Sequence, residues 1–228
     1  MTEKFTQLYL PKGEWLDPLL TTFKKANLEL SAPPRCYEYQ FVSSSIPIIF
    51  QTIRSKEVCL DIFDENTTVN GGFTGSDITL EQGINFQWSI PLNRFEDDNS
   101  SFPKPKVCLG STPNFRENED YPNIQALIGK TIYTSYPNIT KKFFEDNKID
   151  VKIIERQGTI EGRWRTNLDN WAIVDVVDSG STMKANQIEI LQEIMTPEIV
   201  FVENPIITRQ DKSRIDDLKE QLYIASKN

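Results

Sequence analysis

The stretch Ala172-Ile173-Val174-Asp175-Val176-Val177-Asp178-Ser179-Gly180-Ser181-Thr182-Met183-Lys184-Ala185-Asn186 decides the fold class. Residues 172–177 are mostly apolar and β-branched, which suits a buried strand. A Ser/Gly/Thr loop follows, then the first turn of a helix. This order is α/β grammar, and it also builds a phosphate cradle. Loop N–H groups converge on one spot, and the helix N-terminus adds its positive dipole end. Ser179, Ser181 and Thr182 supply hydroxyls without bulk, and Gly180 lets the backbone turn sharply beside an anion. Asp175, near the strand's carboxyl end, can accept hydrogen bonds from vicinal sugar hydroxyls. A phosphate loop with a carboxylate just before it suits a ribose 5-phosphate group. The same letters also fit an ordinary strand-to-helix turn with a Ser/Thr cap.

Outward from this stretch, strands and helices alternate. Residues 130–134 and 151–155 read as strands around a helix at 139–147, and 159–167 as helical or irregular. Residues 186–195 read as a helix with Ile188, Ile190, Leu191 and Ile194 turned mostly inward. Residues 199–202 form a strand and 212–225 a closing amphipathic helix. In the first half, strands are expected at 7–10, 37–42, 57–63 and 107–110. Helices are expected at 16–26 and at 43–53, where Pro47 stands near the first turn. A glycine-rich strand and turn at 71–77 feeds a short helix near 78–81. Residues 93–106, with Pro103 and Pro105, read as a surface loop, and Glu96-Asp97-Asp98-Asn99 as a solvated run rather than a metal site. The expectation is α/β with mostly parallel sheets. The polar run 116–123 is where the chain changes lobe: residues 1–115, joined again by 199–228, and residues 116–198.

The 228 residues can form one large domain or two small lobes, and 38% hydrophobic content is enough for a core. A net charge of −8 argues against nucleic acid as a partner, since phosphate backbones demand clustered Lys/Arg. It leaves room for a small phosphorylated ligand. Cys36, Cys59 and Cys108 are odd in number and show no CxxC pairing, which points to reduced thiols in a cytoplasmic protein. No secretory leader and no membrane-spanning apolar run is read in the sequence. There is no histidine, so Ser-His-Asp and Cys-His catalysis and histidine-ligated metals are excluded.

A second cluster runs Lys130-Thr131-Ile132-Tyr133-Thr134-Ser135-Tyr136-Pro137-Asn138, with Gln157-Gly158-Thr159-Ile160-Glu161 downstream. With the cradle, their order and spacing resembles the ATP phosphoribosyltransferase family, which catalyses the first step of histidine biosynthesis. Leu10-Pro11-Lys12-Gly13, Gly72-Phe73-Thr74-Gly75-Ser76-Asp77 and the strand at 199–205 also look like family segments. The resemblance implies two α/β lobes with a cleft, of the periplasmic-binding-protein type II kind, in the family's short form. It also implies a hetro-oligomer with a subunit resembling histidyl-tRNA synthetase. The chain departs from the family in having Glu14 for an Arg, Ser43-Ser44-Ser45 where Arg and Asp are common, an insertion around 61–70, and Asp178 for a small hydroxyl residue.

The chemistry so implied is transfer from phosphoribosyl pyrophosphate to N1 of ATP, with Mg²⁺ carried mainly on pyrophosphate oxygens. The lobe 116–198 would hold the donor: Asp178, Ser179, Gly180, Ser181 and Thr182 at the 5-phosphate, Asp175 and Glu161 at the ribose hydroxyls. Lys12 would reach the pyrophosphate from the other lobe. Arg35, Gly75, Asp77, Thr134, Ser135 and Tyr136 would line the acceptor site. Each of several residues also has a plain structural reading: Lys12, Glu161 and Arg35 as solvated side chains, Tyr136 as packing, Asp77 as a helix cap. Other readings of the whole are transfer to a different heterocycle, the loop of purine-salvage phosphoribosyltransferases, and a binding subunit without catalysis.

Overall fold

The computed structural model describes residues 5–13, 15–42, 46–86, 88–90, 105–158, 160–162, 170–177 and 180–225. In chain order it runs β1 (Thr6–Lys12), α1 (Leu16–Lys25), β2 (Leu30–Ser31), β3 (Glu38–Phe41), β4 (Ile48–Arg54), α2 (Ser55–Ile62), β5 (Gly71–Gly75), α3 (Ser76–Glu81) and β6 (Trp88–Ile90). Then come β7 (Lys106–Ser111), α4 (Pro113–Arg116), a 3₁₀ turn (Ile124–Leu127), β8 (Thr131–Thr134), α5 (Pro137–Asp146), β9 (Lys152–Glu155) and β10 (Asn170–Val177). The chain ends with α6 (Ser181–Ala185), β11 (Glu189–Met195), β12 (Ile199–Glu203) and α7 (Arg209–Ala225). It divides into two compact units, Met1–Phe102 with Glu198–Asn228, and Pro103–Pro197. β7 pairs with β10 and β11 in the second unit. The chain therefore changes unit before β7, not in the polar run after residue 115.

The first unit holds a seven-stranded sheet of order β2-β3-β4-β1-β5-β12-β6. Its centre is parallel, with β1 between β4 and β5. β3, β12 and β6 join antiparallel, so the sheet is mixed rather than mostly parallel. The core is built on Leu8, Leu10, Phe50, Phe73 and Phe201 from the strands, with Leu19 and Phe23 of α1 and Leu218 and Leu222 of α7. Phe23 meets Phe50 and Phe73 edge-on at centroid distances of 5.4 and 5.8 Å. Each such ring removed from water contributes roughly 2–3 kcal/mol.

Three expected elements change type. Residues 48–53, read as helix, are strand β4, paired with β1 from Thr6↔Ile48 to Lys12↔Arg54. The run Ile-Ile-Phe-Gln-Thr-Ile is β-branched and aromatic, and pairing with a buried central strand overrides the helix-start signal of Pro47. Residues 57–62, read as strand, are in helix α2, where Val58, Cys59 and Ile62 share one buried face at helical spacing. Residues 189–195, read as helix, are strand β11, whose two register irregularities against β7 erase the alternation that marks a strand.

The second unit holds a five-stranded sheet of order β11-β7-β10-β8-β9. β10, β8 and β9 are parallel, while β7 runs against both β10 and β11. β10 is covered on both faces. Ala172 and Val174 join Phe115, Phe143 and Phe144 on one side. Ile173 and Val177 join Tyr133, Ile160 and Met183 on the other. That two-sided burial is why residues 172–177 are so continuously apolar. Among the described residues no helix is long and apolar enough to cross a membrane. The loop expected at 93–106, with Glu96 to Asn99, lies outside the described residues except for its last two, and Lys106 already begins β7.

Candidate active site

In the second unit the two singled-out motifs meet. β8 and β10 are parallel neighbours in the register Thr134↔Val174, so Ser135 and Asp175 emerge side by side at the strands' carboxyl ends, where open α/β sheets bind ligands. Ser135 Oγ donates to Asp175 Oδ1 over 2.6 Å, and the backbone N–H of Val176 donates to the same oxygen at 2.9 Å. Both bonds fix the direction of the carboxylate.

Thr134, expected to touch the acceptor, is fully buried and acts in the turn. Its hydroxyl donates to the carbonyl of Val174 at 2.8 Å and accepts from the N–H of Tyr136 at 2.8 Å. Thr140 Oγ lies 2.9 Å from that hydroxyl and 2.7 Å from the Tyr136 carbonyl. Tyr136 is 4% exposed, so its ring packs and presents no stacking face. Thr134 and Tyr136 therefore hold the loop that presents Ser135.

Gly180 sits before α6 in the left-handed region, φ 73°, where a side chain would be strained. Ser181 and Thr182 are exposed on the first turn, while Met183 is 2% exposed and anchors the helix against Val177 and Ile160. Asp178 and Ser179 lie outside the described residues. Ile160 brings the Gly-Thr-Ile-Glu segment to the same apolar face, and a Cβ on Gly162 would stand 3.5 Å from Asn186 Oδ1, just past α6. Glu161 beside it is 9% exposed, and its Oε2 has no hydrogen-bond partner among the described residues. A buried oxygen left without a donor costs about 1–3 kcal/mol. A sugar hydroxyl is the kind of donor that removes that cost.

In the first unit, three parallel strand ends form a second edge. Lys12 ends β1 in register with Arg54 at the end of β4. The two strand ends are tied by Ser55 Oγ donating to the Lys12 carbonyl at 3.4 Å and Thr74 Oγ donating to the Ser55 carbonyl at 3.0 Å. Lys12 Nζ stands 3.7 Å from the centroid of the Tyr37 ring. Gly75 precedes α3, and a Cβ there would crowd the Asp77 carboxyl and the Trp15 indole. Asp77 is 2% exposed within the helix's first turn, and the cap position belongs to Gly75, so Asp77 is not the helix cap. Arg35 is exposed in a turn with φ 61°. Glu14 and Ser43 to Ser45 lie outside the described residues. Arg54 is missed by sequence reading because the segment before it passes for a helix; once residues 48–53 are a parallel strand, its end falls beside Lys12.

Among the described residues no group of three or more His, Cys, Asp or Glu side chains could hold a metal ion. Asp175 is held in one direction by Ser135 and the Val176 N–H, and Glu161 is buried; both carboxylates suit hydroxyl donors.

Residues 60–223 match the family model described as ATP phosphoribosyltransferase. The ATP phosphoribosyltransferase of Petrotoga mobilis is 31% identical over 209 residues, covering 92% of this chain and 90% of that one. That of Listeria welshimeri is 28% identical over 225 residues, covering 98% and 97%. The ATP phosphoribosyl transferase complex (HisG:HisZ) from Thermotoga maritima contains a chain of the same fold, with a TM-score of 0.68, 22% identity, and coverage of 98% and 99%. Tv2483 bound to L-arginine shares the fold more distantly, with a TM-score of 0.53 at 13% identity over 96% of this chain and 82% of that one. The chain, with its two mixed α/β units, belongs to the ATP phosphoribosyltransferase family.

Proposed function

We propose that this enzyme transfers the phosphoribosyl group of phosphoribosyl pyrophosphate to N1 of ATP, the first step of histidine biosynthesis. The observation that carries the reading is the Ser135–Asp175 hydrogen bond of 2.6 Å, which joins the two motifs at one strand edge. The C1–O bond to pyrophosphate breaks as the N1 lone pair of adenine forms the new N1–C1 bond, and pyrophosphate leaves. A ring nitrogen is already nucleophilic, so the absence of histidine is no obstacle. The 5-phosphate would rest on the Gly180 loop with Ser179, Ser181 and Thr182, beside Asp178. Asp175 and Glu161 would accept from the ribose hydroxyls, and Asp175 would stabilise positive charge developing on the sugar. Lys12 and Arg54 offer cations for the leaving pyrophosphate, and Gly75, Asp77, Arg35 and Ser135 remain for the acceptor. Mg²⁺, when bound, supplies charge neutralisation on the pyrophosphate oxygens.

We further propose that the chain works in the cytoplasm, in an oligomer with a second, regulatory subunit; the HisG:HisZ complex from Thermotoga maritima, which contains a chain of the same fold, supports a hetero-oligomer. The test is pyrophosphate release from phosphoribosyl pyrophosphate with and without ATP. Release should require ATP and fall roughly 10²-fold in Asp175→Asn. Parental activity in that variant would overturn the assignment of Asp175.

A further inference from the structure

The described part of the first unit holds one aromatic ring set against the cation at the end of β1, and the functional assignments above do not use it. Tyr37 is 61% exposed, yet its place is fixed. Its carbonyl accepts from the Thr52 N–H at 2.8 Å and from Thr52 Oγ at 3.3 Å, which pins residue 37 beside β4. β4 separates β3 from β1 in the sheet. Tyr37 and Lys12 thus belong to backbone on either side of β4, and their side chains meet there, Lys12 Nζ 3.7 Å from the ring centroid. A tyrosine this exposed is no part of a hydrophobic core; its ring is set against an ammonium. The quadrupole of the ring attracts the cation. A lysine stem held in one arrangement also loses less rotamer freedom when an anion arrives.

We propose that Tyr37 is a positioning residue that holds Lys12 ready for the phosphate-bearing leaving group. The proposal rests on the functional reading above for the identity of that group, and on the Lys12–Tyr37 geometry alone for the stacking. Nothing in the ring needs the phenol hydroxyl, so phenylalanine should serve equally. Leucine keeps apolar bulk but removes the π face.

The experiment uses the full chain as parent, Tyr37→Phe and Tyr37→Leu. Two readouts are taken: steady-state kinetics in both substrates, and the rate of Lys12 acylation by acetic anhydride, followed by mass spectrometry of the Lys12 peptide. Tyr37→Leu should raise KM for phosphoribosyl pyrophosphate about three- to fivefold while kcat stays within about twofold, and Lys12 should acylate faster. Tyr37→Phe should restore the parent values in both. A Leu variant matching the parent in acylation and KM would overturn the proposal, and so would a Phe variant as impaired as Leu. If the parent does not use phosphoribosyl pyrophosphate at all, the functional reading fails. The acylation rates then still decide whether Tyr37 holds Lys12.

Discussion

Asp175 would be a poor ligand group if it could rotate. Ser135 Oγ at 2.6 Å and the Val176 N–H at 2.9 Å hold Oδ1, which leaves the other oxygen aimed in a set direction. Hydrogen bonds to a charged group are worth about 1.5–3 kcal/mol. Part of that should appear as lost substrate orientation when the donor is removed. Ser135→Ala is expected to lower kcat/KM for phosphoribosyl pyrophosphate about tenfold, with a melting temperature close to the parent's because Ser135 is only half-buried. Ser135→Thr, which keeps a donor, should recover part of the loss. Full activity in Ser135→Ala would show that the Ser135 hydroxyl does not orient Asp175.

At the scale of elements, the closing helix shows how one cap ties a unit together. Thr208 Oγ accepts from the Asp211 N–H at 3.1 Å and donates to Asp211 Oδ2 at 2.6 Å, a reciprocal cap at the start of α7. The other carboxylate oxygen of the buried Asp211 accepts from Thr6 Oγ on β1 at 2.7 Å. Asp211→Ala loses the cap contact and leaves a buried hydroxyl short of an acceptor, so urea titration should show a loss of about 2–3 kcal/mol. A change under 0.5 kcal/mol, within ordinary surface effects, would show that the cap does not hold the helix.

Elements that bury a whole face were legible in the sequence: β1, α1, β8, β10, β12 and α7 stand where the pattern put them. β4 and α2 were exchanged in type because β-branched residues at a helix-like opening, and a mixed apolar run at 58–62, carry both periods. Only pairing with β1 and packing on the sheet choose between them. β11 hid behind its bulges. The strand β10, the turn at Gly180 and the helix after it were legible because glycine, serine and aspartate sit at fixed offsets from an apolar run. The roles of Thr134 and Tyr136 were not, since burial is a tertiary property that a motif does not show. Arg54 stayed hidden with the strand that delivers it.

For the molecule as a whole, the shifted titrating groups suited to a pH test lie in the first unit. Burial pulls the Glu203 carboxyl up, but the ammonium groups of Lys212 and Lys219 outweigh it and hold it below its ordinary 4.5. A depressed acid contributes stability above its unfolded value, and that contribution is lost as pH falls through the folded one. Burial and then the Asp61 carboxylate push Tyr9 from 10.0 up to about 12, and burial alone pushes Cys59 from 9.0 up to about 12. Their contribution is complete below the unfolded values and is lost as pH rises towards 12. Melting of the first unit should therefore be flat from about pH 5 to 9 and fall on both sides. Glu203→Gln should lower the plateau and flatten the acid limb. An unchanged acid limb in that variant would place the linkage on other carboxylates.

The proposed binding of a ribosyl phosphate destined for adenine by Ser135, Asp175 and the Gly180 turn sets the mass of the product. The most direct test is the mass spectrum of the product formed by the purified chain, together with its partner subunit if one is required, from phosphoribosyl pyrophosphate, ATP and Mg²⁺. An ion at the mass of ATP plus one phosphoribosyl group, formed with equimolar pyrophosphate and abolished in Asp175→Asn, is the predicted result. Phosphoribosyl pyrophosphate left intact, or joined to a heterocycle other than adenine while ATP is untouched, would contradict it.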